Sequence, residues 1–247
     1  MVQGKSVAGS ELPGRLGGWG WLALSALVIG LDQWTKAIAT GALVYGVLAE
    51  RREFANQAAE RIAAMGYVGF ALDMYGKGII GADGDAEKNG ALMSPFAKDR
   101  ALLRRRINVA LDTIRQLPEV DTTRVAAMGY CFGGMCVLEL ARSGADVRGV
   151  ISIHGLFVPG AVANEPINAK VLCLHGHDDP MVPPEQVLAF ETEMTQAGVD
   201  WQIHVYGGTM HAFTNPKASN PGFGTVYREV AANRAYQSIA HFLQEIF

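Results

Sequence analysis

A cysteine flanked by glycines is the first feature of this sequence with chemistry in it. Cys131 stands in Gly129-Tyr130-Cys131-Phe132-Gly133-Gly134. An apolar run that reads as a strand, Arg124–Met128, precedes it, and a helical pattern, Gly133–Arg142, follows. The spacing is that of a nucleophile elbow, G-x-Nuc-x-G, with cysteine in place of serine. A turn this sharp strains the backbone at its centre and leaves no room for side chains two residues to either side, which the glycines supply. The following helix points its first amides at the sulfur and favours thiolate. The amide of Phe132 is then placed to donate to an oxyanion, and Tyr130 flanks the thiol as a candidate substrate contact. The plainer alternative is a buried cysteine ahead of a glycine-rich helix start.

Two further residues would complete a proton relay. His211 lies in Tyr206-Gly-Gly-Thr-Met-His211-Ala-Phe213, just past an apolar run, Trp201–Tyr206. A lone histidine is more often structural, but this is the last one before the terminal helix. His241 falls inside that helix at a core-like spacing with Ile239 and Phe242. The acid comes from His175-Gly176-His177-Asp178-Asp179-Pro180-Met181-Val182-Pro183, directly after the run Val171–Leu174. Either aspartate could accept the histidine Nδ1 proton. Asp179 is preferred for its D-x-x-V-P spacing, which leaves Asp178 as a turn residue. Nucleophile, acid and histidine thus occur in that chain order, each after a strand-like run, as in α/β-hydrolases.

Two other patterns carry weaker chemistry. His175, His177, Asp178 and Asp179 have metal-ligand side chains, so a metal-dependent hydrolase is an alternative, without an HExxH motif to support it. Gly76-Lys-Gly-Ile-Ile-Gly81 matches G-x-G-x-x-G, yet Ala82-Asp-Gly-Asp-Ala-Glu-Lys-Asn-Gly90 is a poor opening for the helix that a dinucleotide site requires.

Strands and helices alternate around these motifs. Glu50–Met65 has helical spacing, Tyr67–Leu72 is strand-like, and Asp73–Ser94 is glycine- and aspartate-rich and reads as a long loop. Asp99–Leu117 is helical and ends at Pro118; Val147–Ile153 and Lys170–Leu174 are strands. Glu185–Ala197 is a helix closed by Gly198, and Tyr227–Ile246 is the last. This pattern predicts a mostly parallel sheet with helices on both faces, and such sheets hold their sites beyond the carboxyl ends of the strands.

Composition narrows the class. Hydrophobic residues at 49% are enough for a core. Lys+Arg 21 against Asp+Glu 24 leaves a net charge of -3, which offers nothing to nucleic acid. Three cysteines are too few for a disulfide framework and fit a reduced compartment or a reactive thiol. Cys136 and Cys173 read as core residues.

From about residue 51 to 247 the sequence resembles the dienelactone hydrolase family, α/β-hydrolases with a cysteine nucleophile. The resemblance rests on AAERIAAMGYVGFALDMYGKG, VAAMGYCFGGMCVLELA, GVISIHGLF, KVLCLHGHDDPMVPPE and VDWQIHVYGGTMHAFTNP. It implies an α/β-hydrolase fold, with Cys131 as nucleophile, Asp179 as orienting acid and His211 as base. The implied reaction is hydrolysis of a small ester or enol-lactone through an acyl-enzyme, with no metal or organic cofactor. Two departures stand out. Family members carry a His-Glu pair and a Gly-Leu before the helix equivalent to Glu50–Met65, in a loop giving the second oxyanion amide. Here that stretch is Val44-Tyr-Gly-Val-Leu-Ala49, with Val47 at the candidate amide. The family's carboxylate-binding arginine after the histidine is absent, His211-Ala-Phe-Thr-Asn215 offering Thr214 and Asn215; Arg104, Arg105 and Arg106 form a helical basic run. A damaged oxyanion loop makes a weak or inactive hydrolase-like binding protein the alternative.

The segment before residue 42 reads differently from the domain at 42–247. Leu16–Leu31 carries no charge, and a second apolar run spans Ala37–Ala49; neither reaches the roughly 18–20 residues of a membrane helix. Residues 1–41 read as buried structure, or as a leader with Arg15 ahead of the apolar stretch, an anchor or a fusion remnant. Ala23–Lys36 resembles the first membrane helix of lipoprotein signal peptidase. The expectation is a cytoplasmic monomer or dimer acting on a small molecule. Membrane association of residues 16–49, and a periplasmic or secreted location, are the alternatives.

Overall fold

The computed structural model describes residues 43–48, 52–76, 79, 81 and 85–247. Residues 1–41, on which the leader, anchor and fusion readings fall, lie outside the described residues. Among the described residues no helix is long and apolar enough to cross a membrane.

Strand β1 (Leu43–Leu48) is followed by α1 (Arg52–Ala64), β2 (Val68–Asp73), α2 (Ala86–Lys98), α3 (Arg100–Ile114) and β3 (Val125–Tyr130). Then come α4 (Phe132–Arg142), β4 (Gly149–Ile153), β5 (Lys170–Gly176), α5 (Pro184–Gln196) and β6 (Trp201–Tyr206). Two short strands, β7 (Ser219–Asn220) and β8 (Thr225–Val226), precede α6 (Glu229–Ile246). The main sheet runs β2-β1-β3-β4-β5-β6, and every neighbouring pair in it is parallel.

The strand sequences explain the layers. Every residue of β3 and β4 is buried, as expected for strands covered on both faces. Alternate side chains of β3 go to opposite cores. Val125 and Ala127 join Leu103, Ile107 and Leu111 of α3 together with α4, while Ala126, Met128 and Tyr130 join Ile62 of α1 and Ile239 and Phe242 of α6. Helix α4 is buried along its whole length. Its two charged residues survive there because they are paired. Glu139 accepts from Arg104 Nε at 2.8 Å and from Arg142 Nη1 at 3.1 Å, and Arg142 also donates to Glu193 at 2.7 Å. Arg104 is thus a buried structural residue, whereas Arg105 and Arg106 are exposed.

Three expectations are corrected. The stretch Asp73–Ser94 is not all loop, because α2 begins at Ala86. The Asp85 carboxylate accepts from the Lys88 amide at 2.9 Å and caps it, so one residue of the aspartate-rich run starts the helix. That helix therefore does open beyond Gly76–Gly81. Asp85 at its cap and Glu87 in its first turn put carboxylates where a pyrophosphate would need to sit, so the dinucleotide reading fails on charge rather than on helix formation. Third, Val44–Leu48 is strand, not loop: Val47 is in register with Gly129 on one side and Leu72 on the other.

Candidate active site

With all six strands parallel, the carboxyl ends of β3, β4, β5 and β6 share one edge of the sheet, and four loops meet there. The first carries Cys131, at φ 52 and ψ -115 between β3 and α4. A Cβ on Gly129 would collide with the Gly133 carbonyl, and one on Gly134 would lie 2.6 Å from Gly155 Cα. Glycine is therefore a steric requirement of this elbow. The Cys131 amide donates to the Ile153 carbonyl at 3.0 Å, tying the elbow to β4. Phe132 begins α4, so its amide has no carbonyl one turn back to bond and is available to an anion. The Phe132 ring is buried and stacked on Tyr75, centroids 5.9 Å apart, with Phe96 of α2 6.1 Å away.

Asp179, three residues past β5, and His211, five past β6, are each 2% exposed. His211 Nδ1 and Asp179 Oδ2 are 2.7 Å apart. The other carboxylate oxygen accepts from the Met181 amide at 2.8 Å, which fixes the acid's orientation. Asp178 is exposed and its amide donates to Thr209 at 2.9 Å, so Asp179 rather than Asp178 meets the imidazole. The His211 backbone is held on both sides, donating to Gly224 at 2.9 Å and accepting from Val226 at 3.1 Å. These contacts come from the β7–β8 hairpin, whose two-residue strands leave no periodic trace in the sequence.

Burial resists charge on His211, but the Cys131 thiolate and the Asp179 carboxylate outweigh it, and its pKa is pushed up to about 10. The His211 Nε2 atom is buried without a formed hydrogen bond. The Cys131 sulfur thus acts on the ring through its charge and a loose hydrogen-bonding contact, in an arrangement slacker than an aligned hydrogen bond. Such contacts commonly tighten only when substrate arrives.

The remaining expected residues fall elsewhere. The Tyr130 ring is 5% exposed and packs in the core with α1 and α6, 5.8 Å from His154. It therefore backs the site from behind instead of facing a substrate. Val47, expected to give an amide to the oxyanion, lies in a strand paired on both sides, where backbone groups serve the ladder; residues 49–51, which follow β1, are outside the described residues. The histidines and aspartates at the end of β5 and just past it do not converge. His175 is buried against Phe157, His177 and Asp178 are exposed, and Asp179 turns to His211. Among the described residues no three His, Cys, Asp or Glu side chains are grouped to hold a metal.

One residue at this edge went unrecognised in the sequence. His154, directly after β4, is 3% exposed and stands edge-on to His211, centroids 5.0 Å apart. Its Nε2 is 2.9 Å from Thr214 Oγ1. Cys131, His154 and Ala212 are the non-glycine residues with positive φ among the described residues, and all three lie here. Strained backbone concentrated at one place is a mark of a functional site. No residue type announces positive φ at a histidine, so its only signal was the position after a strand.

A parallel sheet of this order, with a glycine-flanked thiol, a carboxylate and an imidazole after β3, β5 and β6, defines an α/β-hydrolase. The Dienelactone hydrolase family profile matches residues 34–247, and the chain belongs to that family. A dienelactone hydrolase-like promiscuous phosphotriesterase from metagenomic libraries is 35% identical, with a TM-score of 0.77, covering 83% of this chain and 86% of that one. An uncharacterized protein of Caenorhabditis elegans is 32% identical over 151 residues, 59% of this chain and 94% of that protein. A protein of Aquifex aeolicus with the provisional name carboxymethylenebutenolidase is 24% identical over 186 residues, 75% of this chain and 78% of that one.

Proposed function

We propose that this hydrolase cleaves small activated esters or enol-lactones through a Cys131-His211-Asp179 triad and a thioester acyl-enzyme. The observation that carries the reading is the 2.7 Å contact between His211 and Asp179, on an imidazole whose charge state responds to the sulfur of the elbow cysteine.

In the first half-reaction the thiolate forms a bond to the carbonyl carbon, and the carbonyl electron pair moves onto oxygen, facing the Phe132 amide. The oxyanion collapses, the leaving oxygen departs, and it takes the proton from the His211 imidazolium. The sulfur is now a neutral thioester. Loss of its negative charge removes a main support of the imidazolium, and burial then favours neutral imidazole. Acylation thereby converts His211 from acid to base. In the second half-reaction His211 takes a proton from water, the hydroxide attacks the thioester, and thiolate leaves as the carboxylic acid forms. Thiolate is itself a good leaving group, so the first tetrahedral intermediate returns to reactants unless the substrate's oxygen is expelled easily. Enols and phenols satisfy this; simple alkoxides do not.

The test is steady-state turnover of 4-nitrophenyl acetate by the native protein and Cys131→Ala, with mass spectrometry of acid-quenched enzyme to find acyl on the Cys131 peptide. Turnover that survives in Cys131→Ala removes the thioester route. Binding of such esters without any turnover favours the hydrolase-like binding protein. The 35%-identical relative motivates a parallel assay with an aryl phosphotriester, whose phosphoryl oxygen would gain negative charge on thiolate attack and face the same Phe132 amide.

A further inference from the structure

We propose that His154 is a positioning residue, which by standing edge-on against His211 and holding Thr214 fixes the plane of the His211 ring toward Cys131. The proposal rests on the triad reading above.

Asp179 grips His211 at Nδ1 alone. One such contact fixes a point on the ring but leaves its plane free to turn, since the second torsion of histidine lies in a broad well. What stops that turning is a neighbouring ring packed against it. That ring is His154, at 62° to the His211 plane. Its own placement is over-determined. Its amide donates to Leu174 at 2.8 Å, and Ile153 before it accepts from Cys131 at 3.0 Å, so its backbone is tied both to the strand leading to the acid and to the elbow. Phe213 stands edge-on to it at 5.4 Å.

The tether to Thr214 closes the arrangement. His211 and Thr214 are three residues apart in one turn, with Ala212 at φ 55 between them, and both meet the His154 ring. One imidazole thus clamps both ends of the turn that follows the base. Positive φ at His154 and at Ala212 strains the backbone at both, so the turn persists because its packing over-determines it. His154 also suits the task electrostatically. Burial, and then the neighbouring His211, hold its pKa well below the ordinary value, so it carries no charge to repel the imidazolium beside it.

The experiment compares His154→Ala, His154→Phe and Cys131→Ala with the native protein, by kcat and KM on 4-nitrophenyl acetate, normalised to folded protein by circular dichroism. His154→Ala should lower kcat about tenfold with KM within about twofold, because a misaimed base slows chemistry without weakening binding. His154→Phe keeps a ring at the same place, loses only the Thr214 contact, and should recover kcat to within about threefold of native. Unchanged kcat in His154→Ala overturns the proposal, as does a loss in kcat that Phe does not rescue. A loss explained by a smaller folded fraction or by a rise in KM also overturns it. If Cys131→Ala retains native turnover, the triad reading fails and takes the proposal with it. If Cys131→Ala is dead while His154→Ala is unaffected, the positioning role alone is wrong.

Discussion

Asp179 Oδ2 and His211 Nδ1 lie 2.7 Å apart, both residues almost fully buried, and 32 positions of sequence separate them. The contact fixes the tautomer of the ring, leaving Nε2 as the nitrogen that faces the thiol. An amide in place of the carboxylate has a donor that can turn toward the ring and select the wrong tautomer. Asp179→Asn should therefore lower kcat on activated esters by about 10²–10⁴-fold with little change in fold. A loss under about threefold would mean that the acid is dispensable.

The charge on His211 should depend on the sulfur. Burial lowers its pKa, and the Cys131 charge and the Asp179 hydrogen bond raise it to about 10. Removing the sulfur in Cys131→Ala takes away a raising influence and leaves the lowering one in place. An NMR titration of the imidazole should find its pKa lower in the variant than in the native protein. An equal value in both would show that thiol and imidazole are uncoupled.

Acid should weaken the fold through the buried histidines. Burial first, then nearby histidines, hold His154 below its ordinary value of 6.5; for His175 burial again leads. A neutral histidine in the fold means that the unfolded chain binds more protons once the pH falls through its ordinary value. The stability that these two histidines contribute is thus fully present above about 6.5 and declines below it. The contribution of His211, whose pKa is raised to about 10, is instead fully present below about 6.5 and is lost as pH rises. Urea unfolding at about pH 6.5 and 5.0, where the two lowered histidines oppose the single raised one, should show the decline, and His154→Phe should show a smaller one. Equal pH sensitivity in native protein and variant would remove His154 from this account.

Two glycines should respond oppositely to alanine. At Gly129 a Cβ runs into the Gly133 carbonyl, whereas at Gly90 inside α2 it meets nothing within 4 Å. Gly129→Ala should cost about 3 kcal/mol and the elbow geometry, and Gly90→Ala should add about 0.5–1 kcal/mol by helix propensity. Denaturant midpoints check both. A tolerated alanine at 129 would show that the elbow is not sterically closed.

The charged cluster inside the α3–α4–α5 layer gives a third stability test. Glu139 is fully buried and accepts from both Arg104 and Arg142. Glu139→Gln leaves Arg104 without its counter-charge in a dry site, Arg142 keeping Glu193, and should cost about 3–5 kcal/mol. A change under about 1 kcal/mol would mean that solvent reaches the cluster.

The sequence alone determined the parallel α/β architecture, because apolar runs and helical stripes are local periodicities. It also determined the elbow, since glycine at 129 and 133 around Cys131 encodes a backbone shape that few other residues permit. The order of thiol, acid and histidine at strand ends was legible for the same reason: strands can be read, and parallel sheets collect their carboxyl ends on one side.

Tertiary structure decided what depends on contacts between distant segments. The choice of Asp179 over Asp178 became a fact of geometry only when β5 and β6 paired. The burial of Tyr130 followed from which face of β3 its parity assigned it, and the strand at Val44–Leu48 from its two partners in the sheet. The β7–β8 hairpin that holds His211 is too short to carry a period, and the α2 start hung on one capping carboxylate. His154 is the sharpest case. Nothing in its neighbours distinguishes it from a core histidine, and only the fold sets its ring against that of a residue 57 positions away.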